Sequence, residues 1–245
     1  MPVLAWCAFA LACGGLIKGA LGVGTPLLTV PLMALVIPPQ TAVVLMAIPV
    51  VLANVWQASR GGDVAQVVSR FWPCFIAILA GTWIGVRILT VIDETALLLV
   101  VGAMVILSTV LQGSSYRLFI PARFEKPAGA AFGLAGGVVG GLSSMFGPML
   151  IIYLVSLSGF TKGQFVSSIS FIYLGAVVPW VVALLWFGVL DGPLLVASAA
   201  ATVPVALGMA LGQLLRRRIS EQRFHKLVLV VLLASGGTMI WRAFS

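Results

Sequence analysis

Residues 14–28 read GGLIKGALGVGTPLL, and they decide how the rest of the chain is understood, because they set a lysine, a run of glycines and a proline inside a hydrophobic segment. Glycine releases the backbone from helical geometry, and Pro26, which has no N–H to offer the preceding turn, starts a new helix well. The spacing predicts a helix break at residues 22–25. A second stretch, residues 136–150, reads GGVVGGLSSMFGPML and has the same layout. Gly14, Gly15, Gly19, Pro26 and Leu28 fall on Gly136, Gly137, Gly141, Pro148 and Leu150 at one constant offset. Paired interrupted segments in corresponding places of two halves of a membrane chain are the strongest sequence pointer to a transport site.

Composition agrees with a membrane setting. Hydrophobic residues make up 61% of the 245 and charged residues 8%, with a mean hydropathy of +1.18, whereas a soluble domain carries roughly 25% charge. The chain therefore reads as a polytopic membrane protein whose first partner is the lipid bilayer. A net charge of +8 invites a nucleic-acid reading, but no basic face or aromatic-interleaved loop is there to carry it, so nucleic acid is excluded as a partner. Cys7, Cys13 and Cys74 lie in apolar runs without CxxC spacing, so they indicate neither a disulfide framework nor a metal site and read as small hydrophobes. The N-terminal run lacks the basic flank of a cleavable signal and is read as an uncleaved membrane segment.

Working outward, residues 2–23 are apolar apart from Lys18, and residues 25–37 form a shorter run ending at Pro38 and Pro39. At 1.5 Å per residue the shorter run reaches about 20 Å against a hydrocarbon core of roughly 30 Å, so the pair is either a re-entrant hairpin or two tilted, broken helices. Residues 41–58, 71–91 and 95–112 follow as full-length helices. The polar stretch QGSSYRLFIPARFEKP then separates them from apolar runs at 128–145, 147–158, 165–187, 193–215 and 226–244. Late in each half Gly81, Gly85, Ile92 and Glu94 fall on Gly208, Gly212, Ile219 and Glu221 at a slightly longer offset. These correspondences divide the chain into a first transmembrane repeat at 1–112, a cytoplasmic linker at 113–127 and a second repeat at 128–245. The Gly-xxx-Gly pairs let backbones approach closely and mark the fourth helix of each half as central to the bundle.

Orientation follows from where lysine and arginine collect. Placing the loop after residue 58 in the cytoplasm puts every basic residue there except Arg87 and Arg242 on the other side and Lys18 within its apolar segment. The third helix of the first half then runs inward and its counterpart outward, so five elements per half make the repeats inverted. Both termini face outside. The fold class expected is thus an all-α, multi-pass plasma-membrane bundle of two inverted five-element repeats with broken or re-entrant helices.

Lys18 is the only basic residue inside the interrupted segments. It can offer positive charge to an anion beside the half-helix N-termini at Pro26 and Pro148, whose dipoles favour negative charge too, or it can snorkel to the nearby cytoplasmic interface. Thr25, Ser143 and Ser144 sit at the breaks, where each hydroxyl could donate to substrate oxygens or cap a half-helix. Gly22, Gly24 and Gly147 would open the backbone beside them. Asn54 joins the candidates from the third helix, although polar residues there, with Gln57, Ser167, Ser168, Ser170 and Tyr173, ordinarily serve as interhelical glue. Trp56, Trp72, Trp83, Trp180, Trp186 and Trp241 lie mostly near helix ends and fit an interfacial belt. All six acidic residues, Asp63, Asp93, Glu94, Glu125, Asp191 and Glu221, fall at helix ends or in loops, which leaves no intramembrane carboxylate for a proton relay and suits an anionic substrate. The run GLSS at 141–144 has a candidate nucleophile, but the only histidine, His225, is in a distant basic loop, so no catalytic residue, metal or cofactor is assigned.

GLIKGALGVGTPLLTVP followed by GGLSSMFGPMLIIYL resembles the sulfite exporter TauE/SafE family of membrane transporters, along essentially the whole chain. The resemblance implies two repeated halves and movement of a small sulfur-containing or other organic anion, such as sulfite, sulfoacetate or another sulfonate, across the plasma membrane. It raises Lys18, Gly22, Gly24, Thr25 and Pro26, with Ser143, Ser144, Gly147 and Pro148, as site residues. Many members have a third glycine where this chain has Thr25, and a less polar residue than Lys18. The leading function is a secondary transporter or facilitator exporting a small anion, with a midplane site at the two breaks. The alternative is a non-transporting membrane protein, either an accessory subunit or an intramembrane enzyme. Homo-oligomerisation is left open.

Overall fold

Local backbone chemistry sets the helix ends. In a computed structural model, which describes residues 2–22, 24–59, 63–113, 119–157, 162–216 and 221–244, α1 (Pro2–Leu21) stops as Gly22 turns left-handed at φ 86°. Gly24, left-handed at φ 98°, caps α2 (Thr25–Met33), which has Pro26 in its first turn. Then come α3 (Pro39–Val44), α4 (Ala47–Ala58), α5 (Val64–Leu89) and α6 (Glu94–Gly113). After a 3-10 turn at Ala122–Phe124, the second half contributes α7 (Glu125–Ser143), α8 (Gly147–Val155), α9 (Lys162–Trp186), α10 (Gly192–Arg216) and α11 (Glu221–Ala243). The described residues hold no sheet, only an isolated bridge between Ile120 and Leu157, and six of their helical spans are long and apolar enough to cross a membrane. The fold is an all-α polytopic membrane bundle. Expectations that fall on Arg60, Arg117, Arg217, Arg218 and Ile219, and on the side chains of Lys162, Ser167, Arg216, Glu221, Arg223, His225 and Lys226, lie outside the described residues.

The two short elements are half-helices. α2 and α8 have nine residues each, a rise of about 14 Å, and neither can cross a core of roughly 30 Å alone. The acidic residues account for other helix ends. Asp63, Asp93 and Asp191 each accept a hydrogen bond from a backbone N–H three residues on, from Gln66 at 3.1 Å, Ala96 at 2.8 Å and Leu194 at 2.8 Å, the arrangement that satisfies an otherwise orphaned first-turn amide.

The run 41–58, expected as one full-length helix, is divided between α3 and α4. Pro49 is the physical reason, because its ring displaces the carbonyl four residues back and it has no N–H to give. That carbonyl belongs to Leu45, and it accepts instead from the Ser198 hydroxyl of α10 at 3.0 Å. The same hydroxyl accepts from the Ile48 N–H at 3.0 Å, so one buried serine satisfies both sides of the break. Ser198→Ala orphans both backbone groups and is expected to cost about 1–3 kcal/mol, read as a lower unfolding midpoint in detergent, whereas Ser198→Thr, which keeps the hydroxyl, stays near the parent.

The helices gather into two compact units, each drawing on both halves of the sequence. The first holds α1, α2, α3, α6, α10 and α11; the second holds α5, α7, α8 and α9; α4 carries the chain from one into the other between Val50 and Val51. In the first unit α1 lies on α10 with backbones in direct contact: Gly15 and Gly19 face the Val205 and Met209 carbonyls, while Gly208 and Gly212 face those of Ala12 and Leu16. In the second unit α7 lies on α5 in the same way, with Gly137 and Gly141 against Ile78 and Thr82, and Gly81 and Gly85 against Leu134 and Val138. The glycines are those matched by the sequence repeat. One crossing is therefore built twice, each time from the first helix of one half and the fourth helix of the other.

Two expectations are corrected here. α10 is not central, since the face away from α1 is open, with Val196 70% and Leu207 62% exposed; a Gly-xxx-Gly pair reports one close contact stripe, not the number of neighbours. Trp180 does not belong to an interfacial belt. It is fully buried, and its indole N–H donates to the Gly141 carbonyl at 3.0 Å. Trp56, Trp72, Trp186 and Trp241 are exposed, as a belt requires.

Candidate functional site

At the first break, in the first unit, the last turn of α1 closes with the Gly22 N–H donating to the Lys18 carbonyl at 2.8 Å. Lys18 itself is 7% exposed, so its side chain is enclosed rather than extended over the surface. Among the described residues a Cβ at Gly22 would meet nothing within 4 Å, and one at Gly24 would meet Leu27 Cδ1 at 3.5 Å and Ile17 Cγ2 at 3.7 Å. Thr25, the first residue of α2, is 1% exposed, and its hydroxyl has no hydrogen-bond partner among the described residues. Pro26 follows it. The opposite end of α2 is pinned, because the Trp6 indole N–H donates to the Leu32 carbonyl at 2.7 Å and the Arg242 guanidinium donates to the Ala34 carbonyl. A cation at a helix C-terminus also complements the dipole.

The second break, in the second unit, shares the left-handed residue at the end of its first helix but differs after it, since Phe146 before α8 is right-handed at φ −68°. Ser144 corresponds to Gly22 in the repeat and is likewise left-handed, at φ 63°, a conformation uncommon for a residue with a Cβ. Its N–H donates to the Gly140 carbonyl at 2.7 Å. The Ser143 hydroxyl donates to the Val139 carbonyl at 2.6 Å and accepts from the Met145 N–H at 3.3 Å, while the Ser144 hydroxyl donates to the Ser143 carbonyl at 2.5 Å. Phe146, which stands where the first break has Gly24, lays its ring over Gly140 and meets Trp180 edge-on at 6.0 Å. Gly147 leaves room for the Tyr173 hydroxyl, and Pro148 follows in the first turn of α8. The far end of α8 is held too: the Tyr153 hydroxyl donates to the Glu125 carbonyl at 3.0 Å, and the Glu125 carboxylate takes a two-pronged ion pair from Arg70 at 2.5 and 2.9 Å.

Lys18, Gly22, Gly24, Thr25 and Pro26 thus come together at one break, and Ser143, Ser144, Gly147 and Pro148 at the other. Asn54 is buried on α4. Sequence reasoning missed Phe146, Tyr173 and Trp180 as the residues that fill the second break. The one available signal was the repeat alignment itself, which sets bulky Phe146 opposite Gly24.

Two half-helices, each following a helix that ends at a left-handed residue and each pinned at its far end, match the interrupted-helix pattern known in transporters. The family model for the sulfite exporter TauE/SafE matches residues 7–239. The chain belongs to the TauE/SafE family. No curated protein and no solved structure matches it. TauE/SafE membership makes the chain a multi-pass membrane protein of an anion-exporting transporter family, for which lipid and an anionic substrate are the partners. In this TauE/SafE chain Asp63, Asp93 and Asp191 serve as helix caps and Glu125 pairs with Arg70, so these four carboxylates are committed to structure.

Proposed function

We propose that the chain is a potential-driven facilitator that exports a small sulfur oxyanion or sulfonate, such as sulfite or sulfoacetate, across the plasma membrane, with the glycine/proline breaks as its recognition elements. The observation that carries this reading is the first break. There a buried lysine, an unpartnered threonine hydroxyl and the positive end of a half-helix dipole gather in one stretch of chain, a combination suited to anion oxygens. Lys18, Gly22, Gly24, Thr25 and Pro26 are the proposed substrate-contacting residues, Ser143, Ser144, Gly147 and Pro148 shape the second break, and Asn54 is kept as an outlying candidate. The sequence repeats at 1–112 and 128–245 are proposed to be inverted, with the 113–127 linker cytoplasmic and both termini outside, because the basic residues collect on the linker side.

Export needs no coupled ion in this scheme. Each negative charge leaving an inside-negative cell gains about 2.3 kcal/mol per 100 mV, and a divalent anion roughly twice that. The test is sulfite efflux from proteoliposomes at an imposed potential, with pH clamped and sodium absent, the insertion direction scored by an impermeant thiol reagent on a cysteine introduced at Ser114. Efflux should rise with inside-negative potential. Efflux that ignores the potential and follows a pH or sodium gradient would replace the facilitator with a coupled transporter.

A further inference from the structure

The two breaks occupy matching places in the repeat and each has a left-handed residue at the end of its first helix, but they differ in which polar groups remain to be satisfied. Inside a membrane bundle a buried hydroxyl is ordinarily satisfied by turning back to the carbonyl four residues earlier. Ser108 does this to Met104 at 2.5 Å, Thr109 to Val105 at 2.7 Å, Ser143 to Val139 at 2.6 Å and Ser156 to Ile152 at 2.6 Å. Thr25 has no such option. The residue four back is Leu21, which ends α1 on the far side of the break, so the threonine stands on the first residue of its helix with nothing behind it. Among the described residues Thr82 and Thr202 are also unpartnered, but each has a full turn of its own helix before it, with a carbonyl four residues back. At the second break the equivalent region is closed on itself: both serines donate to their own backbone, Ser143 also accepts from Met145, and the Phe146 ring fills the space over Gly140.

We infer that the labour of the two breaks is divided, with the first recognising the anion through the Thr25 hydroxyl as its specificity-determining donor, and the second a sealed structural turn whose serines do not meet substrate. This rests on the anion-export reading and narrows it. The Thr25 hydroxyl donates to one anion oxygen and Lys18 neutralises the charge, while Gly22 and Gly24 leave the space that a tetrahedral or pyramidal oxyanion head needs. Ser144 holds the left-handed turn and Ser143 caps it.

The division is tested with purified full-length protein, sulfite and methanesulfonate as probes, and two readouts, the anion-induced thermal shift and proteoliposome efflux. Thr25→Val keeps the shape and removes the donor. In the absence of anion it should melt no lower than the parent, since an unsatisfied buried group has been removed, yet its apparent affinity for either probe should fall about tenfold or more. Thr25→Ser should stay within about threefold. Ser144→Gly, which suits a left-handed turn, should keep the parent affinity within about twofold. If Thr25→Val does not fold, Thr25→Ala supplies the same loss with less bulk. A parent that exports alongside a Thr25→Val that binds equally well, or a Ser144→Gly that loses as much as Thr25→Val, overturns the division. A parent that shows neither shift nor efflux overturns the anion reading and the division together.

Discussion

Leucine in place of Gly19 is expected to leave almost no folded protein. A Cβ at that position would be driven into the carbonyl of Met209, a backbone atom of α10 that cannot rotate aside. Relief requires the α1 and α10 axes to separate along their whole contact, which also undoes the reciprocal seating of Gly208 and Gly212 against Ala12 and Leu16. Overpacking a well-fitted interior costs about 1–3 kcal/mol when side chains can yield; here the obstacle is backbone and the contact is continuous, so the loss should take a large share of a total stability on the order of 5–15 kcal/mol. Gly85→Leu should behave alike in the second unit, where the obstacle is the Val138 carbonyl. Gly192→Ala, at an open position, is the control and should be neutral. The check is the monodisperse fraction in size-exclusion chromatography together with the unfolding midpoint. A Gly19→Leu protein that is monodisperse and melts like the parent would mean that the α1 and α10 backbones do not touch.

The second large effect is on transport. Lys18→Met keeps the length and apolar stem of the side chain and removes its charge, and it should lower anion efflux more than tenfold while the protein still folds. The reason is electrostatic: a lysine only 7% exposed, one turn before the break from which a half-helix starts, is a local positive source in surroundings where charge is poorly screened. Lys18→Arg restores the charge with a planar, bulkier head and should recover part of the rate. Efflux unaltered in Lys18→Met would show that the lysine has no part in recognition.

Both effects were partly legible in the residues. The repeat alignment singled out Gly81, Gly85, Gly208 and Gly212 as close-approach positions and matched Gly15 and Gly19 to Gly137 and Gly141, yet it could not say what approaches what. The natural assumption, that each half packs within itself, is not how the compact units form. Pro49 offers a related lesson. Its rule against helix interiors was available from the start and the hydropathy of 41–58 masked it, but no sequence rule names Ser198, far along the chain, as the group that satisfies Leu45 and Ile48. Trp180 was misplaced for a similar reason, since proximity to a helix end in sequence does not tell a lipid-facing ring from one donating to a broken helix.

What the sequence by itself determined is the local backbone: where α1 and α7 stop, where α2 and α8 begin, and that these events recur at a fixed spacing. Glycine, proline and the left-handed turn act through torsions of one or two residues, so their consequences need no partner. The membrane setting belongs here too, because it depends on composition over runs of about 20 residues. Tertiary structure alone decided which helices cross, which hydroxyls find carbonyls, and that Thr25 is left without one while Ser143 and Ser144 are satisfied. Those outcomes depend on groups brought together from distant parts of the chain, and hydrogen-bond satisfaction in a buried site turns on angstrom-scale placement that residue identity does not encode.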